Sequence, residues 1–188
     1  MYKLLALLFA LMFSTFAVPD MNLEPEFNPK LFKGRTKDII PDQSVYGVSF
    51  GSTEEDILEQ FGVPNGIIVI SESKKALLYG SSHLFILKKG KLRELRLSEH
   101  VIDWQVSRQM DEHPFFDTAT WVVSPGLRKG MNFSEIREVL SKPNAKPNHQ
   151  FKLEGDSSIT TLNFSSSYGM DGPENYSLHG LTIINYGQ

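Results

Sequence analysis

The chain has 188 residues with 22 acidic and 19 basic side chains, which gives a net charge of −3 at neutral pH. A hydrophobic fraction of 40% and a charged fraction of 22% exclude a wholly disordered or fibrous chain. No cysteine is present, so disulfides, thiol nucleophiles, cysteine-based zinc sites and lipid attachment through an N-terminal cysteine are excluded. The weakly acidic balance gives no general basis for nucleic-acid binding.

The first residues have the pattern of a secretory signal peptide. Lys3 supplies a positive start, Leu4–Phe13 is an unbroken apolar run, and small residues precede a cut after Ala17. A membrane-spanning helix needs about 20 apolar residues, and this run is shorter. We therefore expect cleavage, a location in the periplasm or outside the cell, and no integral membrane segment in the mature chain.

The segment from residue 18 to residue 43 contains four prolines and little periodicity, which predicts an extended leader. Two apolar pairs in it, Leu31–Phe32 and Ile39–Ile40, are candidates for holding the leader against the body of the protein.

A repeat follows the leader. Residues 47–65 and 126–144 align at a constant offset of 79 and are identical at six of 19 positions. In each copy a glycine, Gly51 or Gly130, permits a turn before a short helix. A proline, Pro64 or Pro143, ends the helical pattern.

The start of each predicted helix carries capping chemistry. Ser52 with Glu55 fits a capping box in the first copy, and Asn132 with Glu135 fits one in the second. Alternating apolar runs separated by tight connections follow each helix, which predicts antiparallel strands. The predicted strands are Ile67–Ser71, Ala76–Tyr79, His83–Lys88, Leu92–Leu97, Gln150–Leu153, Ser158–Asn163 and Ser177–Asn185.

These elements predict an α+β fold made of two tandem repeats, each a short helix or helix pair packed on a small antiparallel sheet. The predicted organisation is a signal peptide (1–17), an extended leader (18–43), repeat 1 (44–97), a connector (98–124) and repeat 2 (125–188).

The motif of each repeat resembles a known family. The order Gly-x-x-x-Gly, acidic-capped helix, Gly-x-Pro and then a hairpin carrying Tyr79, Phe85 and Gly90-Lys91-Leu92 is similar to the BamE-like (SmpA/OmlA) superfamily. The tandem arrangement resembles β-lactamase inhibitory proteins. The resemblance implies an exported bacterial protein whose sheets serve as protein-binding surfaces.

Basic residues concentrate around one predicted hairpin. Seven of the 19 basic residues lie between Lys74 and Arg96, where Glu94 is the one acidic residue. Two interpretations stay open: a solvated sheet edge on which lysines discourage edge pairing, or a docking surface for an acidic partner or anionic headgroups. The candidate binding residues here are Lys88, Lys91, Arg93 and Arg96.

Four aromatic residues of the connector form a second candidate binding surface: Trp104, Phe115, Phe116 and Trp121. No periodic pattern assigns them to a core, and aromatic side chains are enriched at binding hot spots. The alternative is that they fill the joint between the two halves.

Catalytic and metal-binding motifs are weak. Residues 47–51 match Gly-x-Ser-x-Gly, which would make Ser49 a nucleophile. The second copy has Arg128 at the equivalent place, so we interpret the segment as a structural turn. The five histidines have no metal-ligand spacing, and we expect neither a metal nor a cofactor.

The sequence therefore predicts a non-enzymatic protein-binding module of the bacterial cell envelope, whose partner is another envelope or secreted protein. The alternative is a small hydrolase, or an inhibitor-like binder that takes a sugar or peptide ligand in the groove between the repeats.

Overall fold

The computed structural model describes residues 38–98, 101, 113, 115–117, 120–146, 148–166 and 176–187. Within them the fold is α+β, as predicted, with two helices and two sheets and with most regular structure in strands. The elements are β1 (Asp38–Ile40), β2 (Ser44–Val45), β3 (Val48–Ser49), α1 (Glu54–Phe61), β4 (Gly66–Ser71), β5 (Lys74–Tyr79), β6 (His83–Lys88), β7 (Lys91–Ser98), β8 (Val122–Val123), β9 (Leu127–Arg128), α2 (Phe133–Val139), β10 (Gln150–Glu154), β11 (Ser158–Ser166) and β12 (Tyr176–Asn185).

The two helices begin with the same chemistry. The side chain of Thr53 accepts a hydrogen bond from the Asp56 backbone N–H at 3.2 Å, and the Asp56 carboxylate accepts one from the Thr53 N–H at 2.7 Å. At α2, Asn132 and Glu135 make the same reciprocal pair at 3.0 and 2.7 Å. Each pair satisfies backbone N–H groups that the first helical turn leaves without a partner.

The capping box of α2 is the predicted one, whereas the Ser52–Glu55 box predicted for α1 is wrong by one residue. Gly51 adopts a φ of 92° and Gly130 a φ of 87°, so both copies make the same left-handed turn before the helix. The offset of 79 residues places Thr53, rather than Ser52, at the position of Asn132.

Seven strands form one antiparallel sheet in the order β10-β11-β12-β7-β6-β5-β4. Strands β4 to β7 come from the first half and β10 to β12 from the second. The prediction of a separate small sheet in each half is therefore wrong, because β12 pairs with β7 from Gly180↔Ser98 to Ile184↔Glu94. This pairing satisfies the backbone groups that would otherwise be left open at an edge of each half.

A smaller sheet has the order β3-β2-β1-β8-β9. Its central strand β1 comes from the predicted leader, and it pairs antiparallel with β2 and parallel with β8. The side chain of Ile39 is fully buried there, which confirms that residue as a point of attachment. Leu31 and Phe32 lie outside the described residues.

The main core lies between one face of the large sheet and the two helices. Ile57 and Phe61 of α1 and Phe133 and Ile136 of α2 are all buried in it. The same cluster contains residues from both halves, so the two halves share one core. On the opposite face of the sheet a second cluster packs against Val101; its buried members are Ala76, Leu78, Leu84 and Ile86.

The predicted signal peptide, most of the leader and much of the connector lie outside the described residues. Among the residues that are described, no helix is long and apolar enough to cross a membrane.

Candidate functional site

The predicted basic hairpin, β6–β7, forms one wall of a cleft of about 560 Å³. The other wall is the C-terminal end of β12 and the residues that follow it. Arg93 joins the two walls, because its guanidinium donates a hydrogen bond to the carbonyl oxygen of Gly187. The cleft is lined by Lys74, Ile86, Lys88, Lys89, Lys91, Arg93, Glu94, Ile184, Asn185, Tyr186 and Gly187.

The cations of this region fall into two groups. Lys74 and Arg96 both bind the carboxylate of Glu94, with Nζ–Oε2 at 3.0 Å and Nε–Oε1 at 2.5 Å. Because Glu94 is 6% exposed, these two cations neutralise a nearly buried charge. Arg96 is absent from the cleft lining, so its place in the structure is that of a partner for Glu94.

The second group consists of Lys88, Lys89 and Lys91, whose side chains are exposed. In the described part of the chain none of the three takes part in an ion pair. Three like charges on one turn create a positive potential at the mouth of the cleft, which attracts negative groups over roughly a Debye length of about 8–10 Å.

The hairpin does not lie at an edge of the sheet. Strands β6 and β7 are interior, with β5 on one side and β12 on the other. The interpretation of these lysines as protection for an open edge is therefore wrong, since pairing with β12 covers the edge of β7. In the sheet formed by the described strands, the open edges are β4 and β10.

The aromatic residues of the connector are placed differently from the basic ones. Phe116 is 1% exposed and Trp121 is 4% exposed, so neither side chain is available at the surface. Both side chains belong to the core that the two halves share. This placement agrees with the alternative interpretation, in which the aromatic residues of the connector fill the joint between the halves. Phe115 is half-buried against the same core, and Trp104 lies outside the described residues.

A buried polar group that the sequence analysis did not identify lies beside Phe116. The hydroxyl of Tyr46 is 2.9 Å from Nε2 of His83, and the hydroxyl of Ser82 is 2.8 Å from Nδ1. His83 is 1% exposed. The adjoining cavity measures about 50 Å³, which leaves room for little more than water. The sequence could have indicated that His83 is buried, because it alternates with Phe85 and Leu87 on the core face of β6.

Burial determines the protonation states of His83 and Tyr46. It lowers the pKa of His83 to about 3, with a smaller contribution in the same direction from His113 and Lys129 and an opposing one from Asp117. Burial also raises the pKa of Tyr46. The imidazole is therefore neutral in the folded protein at any physiological pH, and it accepts one hydrogen bond while donating the other.

This burial predicts a loss of stability in mild acid. Because the pKa of His83 is about 3 in the folded state against 6.5 for a free histidine, only the unfolded state binds the proton as the pH falls below about 6.5. The free energy of unfolding should drop by about 1.4 kcal/mol per pH unit, or about 2 kcal/mol between about pH 7 and pH 5. Urea unfolding across this range measures it.

The His83→Gln variant tests the assignment, since an amide keeps a donor and an acceptor but does not titrate. We expect its unfolding free energy to lose most of this pH dependence. The same substitution at the exposed His149 should leave the dependence as in the wild type. An unchanged slope in His83→Gln would contradict the assignment.

Ser49 of the Gly-x-Ser-x-Gly match is exposed at the end of β3. The hollow beside it measures about 280 Å³ and has no histidine among its lining residues, which are Gly47, Val48, Ser49, Ser52, Asp56, Glu59 and Gln60. A serine nucleophile needs a base within hydrogen-bond reach, and none of these residues is a histidine. Among the described residues, no three histidine or acidic side chains are grouped closely enough to hold a metal ion.

The sequence matches no family model and no curated protein. Two crystal structures of bacterial proteins are similar in part. One is an extracellular protein containing a SCP domain from Bacillus anthracis str. Ames, with 10% identity and a TM-score of 0.38. The other is a cysteine-rich secretory protein from Staphylococcus aureus subsp. aureus Mu50, with 10% identity and a TM-score of 0.40.

In both comparisons the match covers 72% of this chain and 44% of the solved one. At these TM-scores the likeness supports no conclusion about activity. The predicted resemblance to the BamE-like superfamily is wrong, because no BamE-like family model or curated protein matches the sequence and both structures described above are SCP-type proteins. Its motif of a glycine turn, a capped helix and a hairpin is local chemistry that unrelated helix-on-sheet units also use.

Proposed function

We propose that this chain is an exported, non-enzymatic binding module that holds an acidic segment of a partner protein in the cleft between the β6–β7 hairpin and the end of β12. The observation that carries the proposal is the combination of exposed cations with apolar side chains in a single cleft. The predicted signal peptide, with its cut after Ala17, supports a partner in the periplasm or outside the cell.

The positive charge at the mouth of the cleft favours an acidic partner. The protein as a whole carries a net charge of −3, whereas Lys88, Lys89 and Lys91 make this turn locally positive. Arg93 is anchored to Gly187 and holds the cleft walls together. Such a local field increases the rate of encounter with acidic groups and discriminates against basic ones.

The shape of the cleft favours a polypeptide over a membrane surface. Ile184 is 46% exposed and Tyr186 is 57% exposed, and both line the cleft. A chain segment can enter a cleft and place apolar side chains against these two residues while its carboxylates meet the lysines. A bilayer surface is too broad to do so. We therefore propose a segment in which acidic and apolar residues are interspersed.

We also infer that the two halves are copies of one ancestral unit. The supporting observations are the left-handed glycine before each helix, the capping box 79 residues apart, and the antiparallel strands that follow. The copies differ in charge, because residues 152–188 contain one basic residue and four acidic ones. The proposed binding cleft therefore depends on the first copy for its charge.

Replacing Lys91 with Glu tests the proposal. We expect the purified protein to bind a fluorescent peptide of alternating Asp and Leu, measured by anisotropy, and Lys91→Glu to weaken that binding by about tenfold, or about 1.4 kcal/mol. Raising the salt concentration should weaken binding to the wild type as well.

The matched control is Lys152→Glu, which makes the same charge change on an exposed residue of β10, away from the cleft. It should leave the affinity within about twofold of the wild type. A peptide of alternating Lys and Leu should bind neither protein. Equal losses in the two variants would indicate a response to net charge alone, and the proposed cleft would then be rejected.

A further inference from the structure

The two open edges of the seven-stranded sheet differ in a way that points to a second interaction. We propose that β4 pairs antiparallel with β4 of a second copy of this chain, so that two sheets join across a two-fold axis. The proposal is independent of the cleft described above, because it rests on the edge strand β4, no residue of which lines that cleft.

Strand β4 is an uncharged, apolar edge. Four consecutive β-branched residues are exposed: Ile67 by 56%, Ile68 by 42%, Val69 by 77% and Ile70 by 51%. The whole strand, Gly66–Ser71, contains neither a charge nor a proline. Within the described residues, no strand pairs with its outer side, so its backbone N–H and C=O groups can accept another strand.

Strand β10 at the opposite edge is built differently. Its exposed residues are Gln150, Lys152 and Glu154, and they alternate with the half-buried Phe151 and Leu153. Charged side chains on an edge are the usual protection against pairing with another chain. The protein therefore protects one edge and leaves the other able to pair, so growth by strand addition stops at two copies.

The charges beside β4 favour an uncharged partner. Lys75, which lies opposite Val69 on β5, forms an ion pair with Glu54. Lys74, opposite Ser71, forms one with Glu94 at 3.0 Å. Because both cations nearest the edge already bind a carboxylate of this chain, an acidic strand would gain little there, and a basic strand would meet like charges. A second β4 meets no repulsion, since it carries no charge.

The geometry of β4 suits pairing with itself. Ile67 and Val69 lie on the helix side of the sheet with Leu77, and Ile68 lies on the other side with Ala76. An antiparallel copy would therefore bring β-branched side chains opposite one another on both faces, which is a favourable cross-strand arrangement. Such a contact is isologous and closes as a dimer. The irregularity between Val69 and Ser71 limits the regular pairing to a few residues.

The test is the dependence of the molecular mass on concentration. In sedimentation velocity from about 5 to 500 μM, the wild type should shift from the monomer mass towards twice that mass. Val69→Lys places a charge in the middle of the edge on a side chain that is already 77% exposed. We expect it to keep the folded circular dichroism spectrum and to weaken dimerisation at least tenfold. Gln150→Lys on β10 should dimerise like the wild type.

A second measurement locates the contact. Because the chain has no cysteine, Val69→Cys provides a single site for a nitroxide label. Dipolar spectroscopy at high concentration should give one distance below about 20 Å, since the two strands lie about 4.8 Å apart. A label on Gln150→Cys should give no such distance. A wild type that stays monomeric, a dimer that Val69→Lys leaves unchanged, open-ended polymers, or a short distance at residue 150 would each overturn the proposal.

Discussion

Replacing Gly180 with Ala should cost the protein about 3 kcal/mol or more of unfolding free energy. Gly180 is the first residue of β12 that pairs with β7, where it lies opposite Ser98. An added Cβ would overlap the carbonyl oxygen of Leu97 and would lie 3.2 Å from Cα of Ser98. Both are backbone atoms of β7, so the clash cannot be relieved by turning a side chain. The strands must move apart.

The effect is expected to be large because β7–β12 is the junction between the two halves. Its pairing runs from Gly180↔Ser98 to Ile184↔Glu94 and makes the large sheet continuous. Leu97 and Leu181 are paired within it, and both are buried in the shared core. A displaced β12 therefore disturbs backbone hydrogen bonds and core packing together. Urea unfolding followed by circular dichroism measures the loss.

Gly66 offers the matched control, since it is also a strand glycine without a positive φ. A Cβ there would have its nearest neighbour, Cδ2 of Leu78, at 3.8 Å, which is ordinary contact. We expect Gly66→Ala to change the unfolding free energy by no more than about 0.5 kcal/mol. A Gly180→Ala protein as stable as this control would mean that the two halves are not joined through a tight β7–β12 pair.

The local elements of this fold could be predicted from the sequence because their causes are local. Four predicted strands of the first half overlap β4 to β7, and His83–Lys88 coincides with β6 at both ends. The Asn132–Glu135 cap follows from residues three positions apart. The cap of α1 was placed one residue too early because Ser52 and Thr53 both have suitable side chains. The repeat distinguishes them, since Thr53 is the residue that aligns with the cap Asn132.

The pairing between distant elements could not be predicted in the same way. Nothing in the sequence near Ile39 indicates that β1 lies between β2 and β8 in a mixed sheet. The union of β7 with β12 brings together residues more than 80 positions apart. Such pairings depend on the packing of the whole chain, because each strand offers the same backbone groups to any partner.

The candidate site likewise combines a local feature, which the sequence predicted, with a distant one, which it did not. The basic hairpin is a local feature, and the sequence predicted Lys88, Lys91 and Arg93 as binding residues. The apolar wall of the cleft, Ile184 and Tyr186, comes from the far end of the chain. The sequence alone therefore could not place these residues beside the hairpin. The exposure of β4 could not be predicted for a related reason, since it depends on which strand lies next to β4 in the sheet.

Phe116 best separates the two interpretations of the connector's aromatic residues, which are a binding surface and a filled joint between the two halves. Among the described residues its ring contacts several aromatic rings at centroid distances from 4.7 to 6.0 Å: those of His113, His83, Tyr79, Phe115, Phe61, Phe85 and Tyr46. Aromatic pairs at such distances stabilise a core beyond the area that they bury. Phe116 is therefore the centre of the aromatic packing between the connector and the first half.

Replacing Phe116 with Ala should lower the unfolding free energy by about 3–5 kcal/mol, because a fully buried phenyl ring leaves a cavity that surrounding rings cannot close. Phe115→Ala is the matched control. Phe115 is half-buried, and its ring contacts those of Tyr46 at 5.8 Å and Phe116 at 5.0 Å. Because less of its surface is removed from water, its loss should cost less than half as much. At a temperature where both variants stay folded, binding of the acidic peptide should match the wild type, since neither residue lines the cleft. A Phe116→Ala protein of normal stability that no longer bound the peptide would instead assign the aromatic residues of the connector to the binding surface.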